Sequence, residues 1–595
     1  MKSFLKYTLA TICGILIVGV AMTIMFFITL AGLVASSSSS TKIDDKSVFV
    51  ISLNGSIQER SDEDSPLALL LGTADMSMMG LDELREGIAK AKEQDDIKGI
   101  YIEGGSVSFD SPATAQQLRD ALKDFKESGK WVVAYADVYT QGAYYVASVA
   151  DSVFLNKTGM IELRGLGGKN EYMTGLYEKI GVKYQPVRVG KYKSYVESVT
   201  RKDMSPEDRE QREAYLNGIW QHWLKDMADS RKLTAQQIDQ MVSDSILAFA
   251  DPQDYVKARL VDRLMYPDGI KKVMKAKLGV KEKDDINQVT LADMSGVERK
   301  KKPEGEKVAV YYAYGEIIDK QTSIFATSHS IVGSDMVKDL QKLADDDDVK
   351  AVVLRVNSPG GSAAASEQIW NAVKLLKAKK PVVVSMGGYA ASGGYMISAA
   401  ANYIVAEPTT VTGSIGIFGL IPNLSGLVTD KLGVTFDGVK TNRYTDFEEN
   451  LVMSKENSEE LQFMQTYVDR GYRKFLDIVA DGRQMAREQV HEVAQGRVWL
   501  ATDAQKLKLV DQLGSMDVAL AKAAELAKLE KWQKTEYPEE PGMLEQLLKQ
   551  TEDKGTYLDA GLREVLGNMY DHIIELRRDQ QRNRLQARLP LVINF

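Results

Sequence analysis

The strongest constraint on how this chain can fold is that it carries the same pattern twice. Lys46-Ser-Val-Phe-Val-Ile-Ser-Leu-Asn-Gly resembles Lys307-Val-Ala-Val-Tyr-Tyr-Ala-Tyr-Gly, and Asp96-Ile97-Lys98-Gly-Ile-Tyr-Ile resembles Asp348-Val349-Lys350-Ala-Val-Val-Leu. Trp131-Val-Val-Ala-Tyr-Ala then matches Pro381-Val-Val-Val-Ser-Met, Gly142-Ala143-Tyr144 matches Gly393-Gly394-Tyr395, and Leu260-Val261-Asp262 pairs with Leu509-Val510-Asp511. The order is kept, at an offset of about 250 residues. Two ordered copies imply two domains of one type, and 595 residues exceed what a single core holds. Within each copy, short β-branched runs such as Ala351 to Val356 and Pro381 to Met386 alternate with helical stretches such as Ala364 to Leu376. That alternation predicts an α/β fold with a mostly parallel sheet.

The polar stretch from Lys281 to Lys307, with Arg299-Lys300-Lys301-Lys302-Pro303, reads as the exposed seam between the copies. The expected organisation is an anchor and serine-rich linker over residues 1–41, a first repeat over 42–300, a second over 301–540 and a helical extension over 541–595. The extension carries an apolar stripe at helical spacing, Leu562, Val565, Leu566, Met569 and Ile573, which suits packing on its own domain or contact between subunits.

Between Tyr7 and Thr41 there is no charged residue, and the apolar run from about Leu9 to Val34 is long enough to cross a hydrocarbon core of roughly 30 Å. A cleavable signal peptide is the alternative, but its apolar region usually spans only about 7 to 15 residues. The run therefore predicts an uncleaved transmembrane helix that contacts membrane lipid. Lys2 and Lys6 place the N-terminus in the cytoplasm and the rest of the chain across the membrane, in a bacterium on the periplasmic side of the inner membrane. A net charge of −8 with dispersed basic residues leaves no footprint for nucleic acid. Cys13 is the lone cysteine, the four histidines are scattered, and His491-Glu492-Val493-Ala494-Gln495 lacks the second histidine of a zinc motif. No metal and no cofactor are expected.

Chemistry concentrates in two turns of the second repeat. Val356-Asn357-Ser358-Pro359-Gly360-Gly361 and Gly388-Tyr389-Ala390-Ala391-Ser392-Gly393-Gly394-Tyr395 each follow a strand and lead into a helix. Glycines let the backbone approach a bound group, and a helix N-terminus offers free N–H donors. If Ser392 attacks a peptide carbonyl, the N–H groups of Gly393 and Gly361 are placed to hold the oxyanion. The plainer reading is that small residues only permit close packing. Against it stands the first repeat, which has Ser108-Phe109 for Gly360-Gly361 and Gln141, or by a one-residue shift Thr140, for Ser392.

Together with Thr412-Gly-Ser-Ile-Gly-Ile and Val189-Gly190-Lys191-Tyr192-Lys193-Ser194, these turns resemble the signal peptide peptidase A (protease IV) family in its long, tandem-repeat, membrane-anchored form. The resemblance runs from the anchor to about residue 535. It implies tandem Clp protease/crotonase-like domains, Ser392 as nucleophile, Lys193 as general base and Ser414 as the hydroxyl that orients the lysine. It further implies cleaved signal peptides and other apolar peptides as substrates, and a homo-oligomer, usually a tetramer. The residues around Glu197 depart from the family pattern, with Tyr195 before it and Ser198 after it, which bears on pocket shape.

A lysine base must give up its charge. Its pKa of about 10.4 has to fall by roughly three pH units, about 4 kcal/mol, and burial is the plausible source. Lys191 is the nearby competitor. No lysine occupies the matching stretch near Arg443 to Thr445, so one repeat keeps the base and the other the nucleophile. Two rival readings remain: a membrane-tethered scaffold of the same fold without catalysis, and a crotonase-type enzyme acting on acyl thioesters.

Overall fold

A computed structural model describes residues 42–61, 78–244, 247–300, 304–320, 329–453, 458–538 and 586–588, with isolated positions 14, 18 and 25. Apart from those isolated positions the expected transmembrane run lies outside these residues, as do residues 301–303 of the basic seam and the apolar stripe at Leu562 to Ile573. Among the described residues no helix is long and apolar enough to cross a membrane.

Three sheets form the described structure. The first contains β1 (Ser47–Gln58), β2 (Met78–Gly80), β3 (Ile97–Phe109), β4 (Trp131–Tyr139) and β5 (Ser152–Ile161), whereas β6 (Lys183–Arg188) belongs elsewhere. Short β7 (Arg263–Leu264) and β8 (Gln288–Val289) complete it, in the order β2-β1-β3-β4-β5-β7 with β8 on β1. Its pairings are parallel throughout. The second repeat continues with β9 (Glu306–Tyr314), β10 (Glu316–Ile318), β11 (Ser330–Val332), β12 (Val349–Ser358), β13 (Gly360–Ser362) and β14 (Val382–Ala391). It then runs through β15 (Tyr403–Ala406), β16 (Val411–Gly413), β17 (Phe418–Asn423), β18 (Val498–Leu500), β19 (Gln512–Leu513) and β20 (Trp532–Tyr537). The second large sheet has the order β18-β16-β14-β12-β9-β20, with β15 also on β14. Strands buried on both faces are near-continuous apolar runs, as β12 and β14 are, and this is the expected signature of parallel sheets covered by helices.

The duplication is visible atom by atom. Arg231 ends the helix Pro206–Arg231 and binds Asp262, while Arg483 ends the helix Glu459–Arg483 and binds Asp511. Each aspartate also accepts a strand N–H, from Val153 at 2.6 Å and from Ile404 at 2.7 Å. Tyr144 donates its hydroxyl to the Leu260 carbonyl at 2.8 Å, and Tyr395 donates to that of Leu509 at 2.9 Å. These twin tyrosines set the register of the repeats and put Gln141 opposite Ser392.

The repeats interlock. Val498 and Leu500 of β18 join the core of the first sheet, and Val187 of β6 joins a core of the second. A third sheet is shared, in the order β11-β10-β13-β21-β17-β6, where β21 is Gln586–Arg588. Across the seam Arg355 and Glu59 form a buried pair, Nε to Oε1 at 2.6 Å and Nη2 to Oε2 at 3.1 Å, and Arg355 also donates to Gln117 at 3.0 Å.

Candidate active site

Ser392 sits at the sharp bend where β14 gives way to the helix Gly393–Ser398, with φ 57° and ψ −114°. A non-glycine residue in the left-handed region costs on the order of 1–3 kcal/mol and persists only where its surroundings fix it. Here the Ser392 N–H donates to the Gly413 carbonyl at 2.8 Å, and its carbonyl accepts from the Met396 N–H at 2.9 Å. Gly394 backs onto the Ser358 carbonyl, where a Cβ would approach to 2.6 Å, so the two glycine turns touch. At Gly361 a Cβ would collide with the Ile317 carbonyl of neighbouring β10. Gly393 is the first residue of its helix, so its N–H has no acceptor within that helix.

Lys193 reaches this bend from the other repeat. β6 pairs antiparallel with β17, and the chain then turns through Gly190, where a Cβ would meet the Gln495 backbone. Tyr192 N–H donates to the Gln495 carbonyl at 3.1 Å, and Gly496 faces the Lys193 backbone so closely that a Cβ there would lie 2.7 Å from its nitrogen. Gln211, fully buried, bridges the two repeats by donating to the Tyr192 carbonyl at 3.1 Å and accepting from the Val498 N–H at 3.0 Å. The lysine Nζ ends 2.8 Å from Ser392 Oγ, 3.0 Å from the Ser414 carbonyl oxygen and 3.0 Å from Ser414 Oγ. All three residues are 0% exposed and belong to one chain. Burial alone pushes the Lys193 pKa well below the usual lysine range, as the sequence reading requires. Lys191 is exposed, with its Nζ 5.0 Å from the centre of the Tyr192 ring.

Sequence reasoning missed the scaffold behind these groups. Asn357 accepts from Tyr389 N–H at 3.0 Å, tying the two glycine turns together, and donates at 2.9 Å to Asp110 of the first repeat. Burial raises the Asp110 carboxyl to about 6. Nothing in the local pattern announces Asp110, Gln211 or Gly496, because each acts on residues far away in sequence. The first repeat's cognate turn is differently built. Gln141 accepts the N–H groups of Arg164 and Gly165, both at 2.9 Å, and Thr140 donates to Val107 at 3.3 Å. Phe109 lies against Gly142, and a cavity of about 500 Å³ remains beside these residues.

Known proteins fit this arrangement. The description of Peptidase family S49 matches residues 124–281 and again 374–530. The chain belongs to peptidase family S49. Residues 305–410 also match the Clp protease family. Protease 4 of Salmonella typhi is 38% identical over 476 residues, covering 78% of this chain and 75% of that protein. Protease 4 of Haemophilus influenzae is 34% identical over 88% of this chain and 87% of its own length. The chloroplastic serine protease SPPA of Arabidopsis thaliana is 29% identical over 76% of this chain and 66% of its own. The chain is thus a serine protease of the S49 family, with tandem α/β domains of the S49 and Clp protease type. Among the described residues no group of three or more His, Cys, Asp or Glu side chains could hold a metal.

Proposed function

We propose that this protease is a membrane-anchored endopeptidase with a Ser392–Lys193 dyad, acting on cleaved signal peptides and other apolar peptides. The observation that carries the reading is the 2.8 Å approach of Lys193 Nζ to Ser392 Oγ in a buried pocket where desolvation is the resolved cause of the low lysine pKa. A neutral amine has two N–H donors and one lone pair. The donors suit the carbonyl and hydroxyl oxygens of Ser414, which leaves the lone pair facing the Ser392 hydroxyl. Once the amine has taken that proton, its three N–H groups meet three oxygens, so the charge created by attack is solvated by the site itself. Ser392 Oγ then bonds to the peptide carbonyl carbon, and the N–H groups of Gly393 and Gly361 receive the oxyanion. Lys193 returns the proton to the leaving amine, and water releases the acyl group by the same route in reverse.

Anchoring by the run from Leu9 to Val34 would hold the site on the periplasmic side of a bacterial inner membrane, where signal peptides are left. The names of the Protease 4 and SPPA relatives support the proteolytic reading. A homotetramer is proposed by resemblance, and the exposed apolar residues Leu432, Phe436 and Val439 offer surface for a subunit contact.

Hydrolysis of an apolar fluorogenic peptide by wild type, Ser392→Ala and Lys193→Ala tests the dyad. Both variants are expected to lose at least about 10⁴-fold in kcat/KM, comparable to losing one member of a serine-protease triad. Equal rates in all three chains would rule the assignment out.

A further inference from the structure

The shared sheet contains one strand, β21, from beyond the second repeat. β21 lies between β13 and β17, antiparallel to both. Its register sets Gln586 opposite Ser362, Ala587 opposite Gly361 and Arg588 opposite Gly360, with Gln586 also opposite Phe418. Without β21, the edges of β13 and β17 would face one another across two strand spacings, about 9.5 Å. Facing edges with unpaired N–H and C=O groups are a ready slot for one extended chain.

The slot borders the chemistry on both sides. β13 contains Gly361 and follows directly on Ser358-Pro359. β17 opens at Phe418, four residues after Ser414, and Lys193 Nζ lies 5.9 Å from the centre of the Phe418 ring. An extended chain between the two strands therefore runs past the Ser392–Lys193 pair, held by its backbone. Such recognition tolerates many sequences, which is what degradation of varied peptides requires.

We propose that Gln586–Arg588 is a built-in pseudosubstrate: a strand of the chain itself that fills the peptide cleft of the Ser392–Lys193 site and must withdraw before a peptide can enter. The inference rests on the dyad reading. An occupant tethered to the same chain competes at a high effective concentration and lowers the fraction of open sites, so apparent KM rises in proportion while kcat is unchanged.

Full-length Ala587→Pro tests this, because proline cannot donate to a ladder and its ring crowds a flanking strand. The variant is expected to show an apparent KM about tenfold lower than wild type at equal kcat, and a synthetic peptide of residues 583–591 should inhibit it competitively. A second measurement needs no change in the tail. In full-length Ser392→Ala, trypsin cleavage after Arg588 should accelerate severalfold when a saturating apolar peptide is added, because the peptide displaces the strand. Equal KM values, a synthetic peptide without effect, or trypsin cleavage indifferent to added peptide would each overturn the pseudosubstrate. If Ser392→Ala instead hydrolysed peptide as fast as wild type, the dyad itself would fall, so the two failures are distinct.

Discussion

The two strand-to-helix bends, after β4 and after β14, share a backbone plan and differ in what they do with it. Both lead into a short helix carrying a buried tyrosine that caps a distant carbonyl, Tyr144 in one and Tyr395 in the other. At Ser392 the backbone is forced to positive φ, the side chain is buried against a lysine, and Gly394 and Gly361 allow carbonyls to press in from behind. At Gln141 the helix starts without strain and the side chain is satisfied by two backbone N–H groups, while Phe109 stands where Gly361 would be. The fold needs the bend and the tyrosine. The proposed chemistry needs the strain, the glycines and the lysine from elsewhere.

Substitution at cognate positions should separate these demands. Gly361→Ala puts a Cβ into the Ile317 carbonyl and displaces a proposed oxyanion donor, and should lower kcat about 10²–10³-fold. Phe109→Ala at the matching site should leave kcat within about threefold and act only on stability, by about 3–5 kcal/mol or less given its partial solvent contact. Steady-state kinetics and thermal unfolding of the two variants check the contrast, and equal kinetic losses would mean that both turns take part in catalysis.

A smaller effect is expected from the lysine environment. Only the neutral amine can act as base, so activity should rise with pH through a Lys193 pKa that burial has lowered, with an acid limb well below the usual lysine range. Ser414→Ala removes an acceptor that serves the charged amine more than the neutral one. The acid limb should therefore move to lower pH, by about one unit, while the maximal rate falls about tenfold. A limb that moves upward would contradict the proposed donor arrangement.

The smallest effect concerns Glu407, which follows β15 where the first repeat has the half-buried Asn156. Burial raises its carboxyl to about 8, and its Oε1 has no partner among the described residues. A carboxyl whose folded pKa is raised stabilises the fold below its ordinary pKa near 4.5, and that contribution fades as pH climbs through about 8. Glu407→Gln should therefore melt near the wild-type temperature at pH 5 and higher at pH 8, by the equivalent of about 1–3 kcal/mol. A gain that is constant with pH would show that the carboxyl is not the source.

Much of this was legible in the sequence because duplication compares the chain with itself. The α/β alternation and the two glycine turns follow from motifs that can be quoted, and the pairing of Ser392 with Lys193 and Ser414 was implied by the family resemblance those motifs carry. What escaped was long-range. The apolar pattern of Val498–Leu500 says that the strand is buried, but not that it is buried in the other repeat's core. Asp110 and Gln211 look like ordinary polar residues until the repeats dock. Likewise, Gln586–Arg588 carries no mark of a strand that would lie between β13 and β17.

The loop that carries Lys193 is held in place by Gln495 and Gly496, some 300 residues downstream. Synthesis proceeds from the N-terminus, so Lys193, the proposed base, is made well before both Ser392 and its own cradle. Ser392 follows later, but the residues that fix the lysine come about a hundred positions after it. On the proposed dyad, proteolytic competence would therefore come late in synthesis, and a product ending before Gln495 would lack the residues that hold Lys193 in place.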